Sequence, residues 1–135
     1  MQEFIETLKQ TNINYHITTD GTIVITGDKF VRLLSIKEID TNVIFKNRGN
    51  VHLISLESLS GDVVFKNGGH VFMDAIETIS GNVIFENGGY VDLESLKELS
   101  TNVMFENKGS VFLDSIKRIA THDVFKNDKK VYLKD

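Results

Sequence analysis

The chain has 135 residues, one domain's worth, with 41% apolar and 25% charged residues, the balance of an ordinary globular fold. It has no cysteine, which excludes disulfides and thiolate metal sites, and it has no proline either. The net charge of −4 excludes a broadly basic surface, so nucleic acid is not an expected partner, and no apolar run approaches the ~18 residues of a membrane span.

The opening stretch, MQEFIETLKQ, places Phe4, Ile5 and Leu8 on one face of a short helix. It carries acids and lacks the basic-then-apolar order of a secretory signal, so a cytoplasmic location is expected. The next segment, NINYHITTDG, alternates Ile13, Tyr15 and Ile17 as a strand before an Asp20-Gly21 turn. Residues 1–21 are therefore expected to form a helix-and-strand cap over whatever follows.

From residue 22 onward the sequence repeats every 20 residues without insertion. Phe45, Phe65, Phe85, Phe105 and Phe125 fall in one column, with Ile25 ahead of them. Val31, Val51, Val71, Val91, Val111 and Val131 form a second, and Leu33, Leu53, Met73, Leu93, Leu113 and Leu133 a third. Two further apolar columns run through Leu56 and Leu96 and through Leu59 and Leu99, spaced as a short turn or 3₁₀-like segment would be. Each unit thus predicts strand, corner, strand, corner. In VIFENGGYVDL, Val83 and Phe85 face in, Asn87-Gly88-Gly89 turns, and Val91 and Leu93 face in again. No such unit can bury its apolar face alone, so coils must stack, strand on parallel strand, at ~4.8 Å per coil.

Within that stack the phenylalanines fill the interior, and Asn47, Asn67, Asn87, Asn107 and Asn127 sit at a corner where amides could bond to one another along the axis. Gly49, Gly69, Gly89 and Gly109 suggest corners with positive φ. Asp123 enters the inward column at the last coil, and Lys126, Lys129, Lys130 and Lys134 gather there. Charge on a terminal edge discourages strand addition by another chain. The expected fold is all-β: a right-handed parallel β-solenoid of about six 20-residue coils, spanning 22–135, behind a short N-terminal helix and strand cap.

The unit IETISGNVIFENGGYVDL resembles the repeats of leucine-rich and receptor-L solenoids, and it is similar to short repeat proteins of bacteriophages and mobile elements. Its asparagine follows the second inward apolar residue by two positions rather than three, which favours a β-helix-like coil over a horseshoe with long helices. The resemblance implies binding and recognition rather than catalysis, and a blocked host protein as the target. Fold-level likeness alone does not fix function.

Function must lie on the outward columns. Val24, Ile44, Val64, Ile84, Met104 and Val124 make an apolar stripe on the first sheet. One reading is a β-branched ladder half covered by the stems of Lys46, Lys66, Glu86 and Glu106. The other is a self-association surface giving a homodimer. On the second sheet, His52, His70, Phe72, Tyr90 and Phe112 form an aromatic cluster, with Asp74, Asp92, Glu94 and Asp114 beside it. Cross-strand pairing explains such aromatics structurally; a protein-binding hot spot explains them functionally. Repulsion among the stacked carboxylates would be relieved by a basic partner surface.

No metal or cofactor is expected, since no calcium-loop pattern such as D-x-D-x-D-G occurs. Nucleophile-elbow, zincin, phosphate-loop and dinucleotide motifs are also absent, and the histidines His16, His52, His70 and His122 form no catalytic set. The expected function is therefore a non-enzymatic protein-binding protein. A self-assembling homodimer is the first alternative, and a carbohydrate-binding or -hydrolysing mini β-helix, using Asp92 with Asp74 or Asp114, the second.

Overall fold

The fold is a computed structural model describing residues 2–133, a parallel β-solenoid of about six turns behind a short N-terminal helix. Each coil is three-sided. Sheet I stacks Ile23–Ile25, Val43–Phe45, Val63–Phe65, Val83–Phe85 and Val103–Phe105 in parallel. Sheet II stacks Val31–Arg32, Val51–His52, Val71–Phe72, Val91–Asp92, Val111–Leu113 and Val131–Leu133. The segment predicted as a turn instead carries two-residue strands, such as Ser58–Leu59 and Glu98–Leu99, which form a third, narrower face. In sheets I and II the parallel strands pair with those 20 residues away, as Val83 does with Val103 and Val91 with Val111, whereas the third face divides into two short sheets between Thr78–Ile79 and Glu98–Leu99.

Because the register equals the repeat, like side chains stack on like. The rings of Phe45, Phe65, Phe85 and Phe105 lie 4.9, 5.0 and 5.1 Å apart and parallel to within 5°. Phe125 continues the stack at 5.2 Å with a 16° tilt. In the coil of Phe85, the side chains of Val83, Phe85, Val91, Leu93, Leu96 and Leu99 are all buried, each contributing roughly 1.5–3 kcal/mol. The cap closes one end as expected: Phe4 and Leu8 of the helix Gln2–Gln10 join the core, and Tyr15–Ile17 pairs antiparallel with Ile23–Ile25. Ile13 and Tyr15 pack on that core, whereas Ile17 is exposed.

Three local expectations change. First, the buried asparagines do not bond to one another. Asn87 Nδ2 donates to the carbonyls of Gly69, Gly89 and Tyr90, each at 3.1 Å, so one amide staples its own corner to the preceding coil. Asn47, Asn67 and Asn107 repeat the arrangement. A side chain can thereby satisfy carbonyls that the corner turns out of the sheet. Second, the corner glycines do not have positive φ; only Gly21 and Gly27 do, among the described glycines. A Cβ on Gly109 would stand 2.5 Å from the backbone of Gly89 and Tyr90, so close coil-to-coil approach is what requires glycine there. Third, the last coil slips. Thr121 caps a 3₁₀ turn over His122–Val124, which leaves Asp123 exposed and puts Val124 into the core. A carboxylate in the apolar interior would cost far more than the lost strand, so the chain turns to avoid it. Lys126, Lys129 and Lys130 are exposed at this end, and Lys134 lies outside the described residues.

Candidate functional site

The outer side of sheet II carries the aromatic and acidic residues singled out from the sequence. Its strands are only two or three residues long, so each coil contributes few outward side chains, and parallel register aligns them into columns. The rings form a continuous series along the solenoid. Phe30 meets His52 edge-on at 6.4 Å, and His52 stacks on Phe72 at 4.7 Å. His70 meets Phe72 edge-on at 6.2 Å and stacks on Tyr90 at 3.7 Å. Tyr90 meets both Phe72 and Phe112 nearly perpendicularly, at 5.5 and 5.6 Å, and Phe112 stacks on Tyr132 at 4.9 Å.

His52, His70, Phe72, Tyr90 and Phe112 are thus brought together as the columns predict. Phe30, 57% exposed, and Tyr132, 44% exposed, extend the series beyond the residues singled out above. Both stand in the same columns, and their membership was legible in the repeat.

His70 is fixed by its neighbours. Its backbone N–H donates to Asn50 Oδ1 at 2.8 Å, and its ring Nδ1 accepts the Tyr90 N–H at 3.0 Å. That leaves Nε2 carrying the proton. Burial also pulls the His70 imidazole below its usual range, and burial with the nearby Arg32 does the same for His52 against the opposing pull of Asp74. Both histidines therefore belong to the aromatic surface as neutral rings near pH 7.

The acids are set into this surface. Asp92 occupies the column between Phe72 and Phe112 and is half-buried. Burial first, then the charges of Asp74, Glu94 and Asp114, push its carboxyl up to about 6, against a hydrogen bond from the Glu94 N–H at 3.2 Å. Asp74 is half-buried too, and its Oδ1 has no hydrogen-bond partner among the described residues. Glu94 and Asp114 are exposed. Tyr90 is pushed up by burial and by Asp92 and Asp74. In the column of Asp74, Glu94 and Asp114, the first two coils instead carry Leu34 and Ile54, both exposed. The face therefore runs from apolar to acidic along the axis, with aromatic rings throughout.

Of the six residues expected on the sheet I stripe, Ile44, Val64, Ile84 and Met104 are half-buried and in register. Val24 is buried, between Ile44 on one strand and His16 of the antiparallel cap strand on the other. Val124 has turned into the core.

Two open clefts lie at the N-terminal end. One, of about 440 Å³, is lined by residues between Thr11 and Arg32; the other is lined by Glu3, Phe4 and Ser35–Asp40. Neither includes Asp74, Asp92 or Asp114. Among the described residues, no group of histidines and carboxylates has the geometry of a metal site, and no helix is long and apolar enough to cross a membrane. No protein family, curated protein or solved structure matches the chain.

Proposed function

We propose that this chain is a non-enzymatic protein-binding solenoid, and that sheet II receives a basic surface of a partner protein. The observation that carries this reading is Asp92, a half-buried carboxylate set between Phe72 and Phe112 and beside Tyr90. Left alone, that carboxylate is poorly solvated and repelled by three others. A partner's arginine answers both needs, since a guanidinium neutralises carboxylates while stacking on aromatic faces. Tyrosine and its aromatic neighbours supply the contact area typical of binding hot spots. The exposed Leu34 and Ile54 give the same partner an apolar contact at the other end. On the likeness to short bacteriophage repeat proteins, the partner would be a host protein that the complex blocks.

The test is an NMR titration with an arginine-rich peptide, following the rings of Phe72, Tyr90 and Phe112. Shifts confined to sheet II, abolished in Phe72→Ala/Tyr90→Ala while the circular dichroism spectrum is retained, support the reading. Binding should weaken as pH falls through about 6 and Asp92 takes up its proton. Shifts spread evenly over the protein, or unchanged in the double variant, refute it.

A further inference from the structure

Sheet I offers a second surface, and its charges have a symmetry that sheet II lacks. Beside the stripe of Ile44, Val64, Ile84 and Met104 runs a column of exposed charges: Lys46, Lys66, Glu86 and Glu106. Along the axis this reads two cations, then two anions. Within the chain the only close approach across the change of sign is Lys66 Nζ to Glu86 Oε2, at 3.9 Å between exposed side chains, among the described residues. So loose a pair leaves both charges available to a partner.

We propose that sheet I is the contact between two copies of this chain, packed face to face with their solenoid axes antiparallel. Consider a twofold axis lying in the interface, perpendicular to the solenoid axis and passing between the coils of Val64 and Ile84. It sets each column opposite itself in reverse order. Lys46 then meets Glu106 and Lys66 meets Glu86, and the symmetry makes each pairing twice. In the stripe, Ile44 meets Met104 and Val64 meets Ile84. The opposite flank carries Asn42, Asp62, Asn82 and Asn102, so Asp62 meets an asparagine and no like charges oppose on that flank. That flank is already held in place, with the Asp62 N–H donating to Asn42 Oδ1 and Asn82 Nδ2 to Asp62 Oδ1, both at 3.1 Å. At the corner beyond Lys46, Arg48 falls opposite Lys108, and Arg48 is already paired with Asp28 at 3.5 Å.

The same operation fails on the other faces. On sheet II it sets Asp74 against Glu94, acid on acid. On the third face it sets Glu77 against Lys97 and Glu57 against Lys117, but Glu77 and Lys97 already pair within the chain, and no outward apolar column runs there. Only sheet I combines a flat apolar stripe with a charge column complementary to itself. Four coils at ~4.8 Å and a strand width of roughly 20 Å give about 400 Å² per copy, the low end for specific contacts. The dimer is therefore weak and weakens further with salt, which screens exposed pairs.

Sedimentation equilibrium over concentrations from about 10 μM to 1 mM, at low salt, tests this. The native chain should dimerise. Lys46→Glu sets like charges together at two symmetric places and should weaken the dimer roughly tenfold. Adding Glu106→Lys to that variant should restore it. Residues 46 and 106 stand three coils, ~14 Å, apart in one chain, so their mutual rescue cannot be intramolecular. Circular dichroism on each variant confirms that these surface changes leave the fold intact. A native chain that stays monomeric throughout overturns the proposal. So does a dimer indifferent to Lys46→Glu, or one that Glu106→Lys fails to rescue.

Discussion

Asp92→Asn should make the protein more stable above pH 6 and leave it unchanged in acid. In the folded chain Asp92 holds its proton up to about 6, whereas the unfolded value is near 3.8. Between those limits the folded state binds more protons, so the stability linked to this group is fully present below 3.8 and is lost as pH rises through 6. At full weight that interval corresponds to about 3 kcal/mol. The carboxyl is only partly buried, and screening by water reduces the figure to about 1 kcal/mol. Asparagine keeps the size and the Glu94 N–H contact but never ionises. Urea denaturation followed by circular dichroism, at pH 8 and again at pH 4.5, reads the difference directly. We expect the variant's midpoint to exceed the native one by about 0.5 M at pH 8, with the gap closing at the lower pH. A variant no more stable than the native protein at pH 8 would show that the carboxylate is well accommodated in the free protein. The reasoning that Asp92 awaits a cationic partner would then fail with it.

Asn87→Ala strips the donor from three corner carbonyls between two coils. It should lower stability by about 2 kcal/mol in the same denaturation experiment. Gly81→Ala drives a Cβ to 1.9 Å from the Gly61 carbonyl oxygen, so adjacent coils must part; we expect a loss above ~3 kcal/mol. Gly21→Ala meets no atom within 4 Å but keeps a φ of +87°, and should cost only about 1 kcal/mol. In ¹⁵N–¹H spectra, His70 should titrate below 6.5, because burial disfavours the charged ring, and it should appear as the Nε2–H tautomer, because Nδ1 accepts the Tyr90 N–H. Its folded value lies below the unfolded one, so the linked stability is present above 6.5 and is lost as pH falls, opposite in sign to Asp92.

The 20-residue period made most of the fold legible, because in a parallel stack the repeat length is also the strand register. Phe65 and Phe85 had to stack once their strands were paired in step. What lies between coils was harder to read. A glycine column has two physical causes, positive φ or close backbone approach, and both leave the same mark in the sequence. Gly109 lacks positive φ and lies against the backbone of the preceding coil, so close approach is the cause there. An asparagine column is likewise compatible with amide-to-amide or amide-to-carbonyl bonding, and Asn87 Nδ2 takes the carbonyls because three converge at its corner. The slip at Asp123 was signalled by a carboxylate in an apolar column, but the direction of the slip depended on Thr121 being able to cap a 3₁₀ turn. At the candidate site, the columns placed His52, His70, Phe72 and Tyr90 together. They also set Asp92 between Phe72 and Phe112, but did not show that Asp92 and Asp74 are half-buried there while Glu94 and Asp114 are exposed, because that depends on how the neighbouring side chains pack.

The two proposed contacts have a geometric consequence when combined. The antiparallel twofold reverses the solenoid axis but preserves the direction in which strands cross sheet I. Sheet II follows sheet I around the same corner in both copies, so both aromatic faces come to lie on one flank of the dimer, running in opposite directions. A parallel pairing would instead place them on opposite flanks. A partner carrying two basic sites, or two partners held close together, could then engage both faces at once, and the second contact becomes intramolecular. Such linkage strengthens binding by roughly 10²–10⁴ without any new contact. A weak dimer is sufficient for this, since a bivalent partner also holds the two copies together. Lys46→Glu, which leaves sheet II untouched, should therefore lower the avidity for a bivalent arginine-rich ligand by roughly the tenfold it takes from the dimer, while leaving the affinity for its monovalent half unchanged. If it reduces both equally, the faces do not act through the dimer.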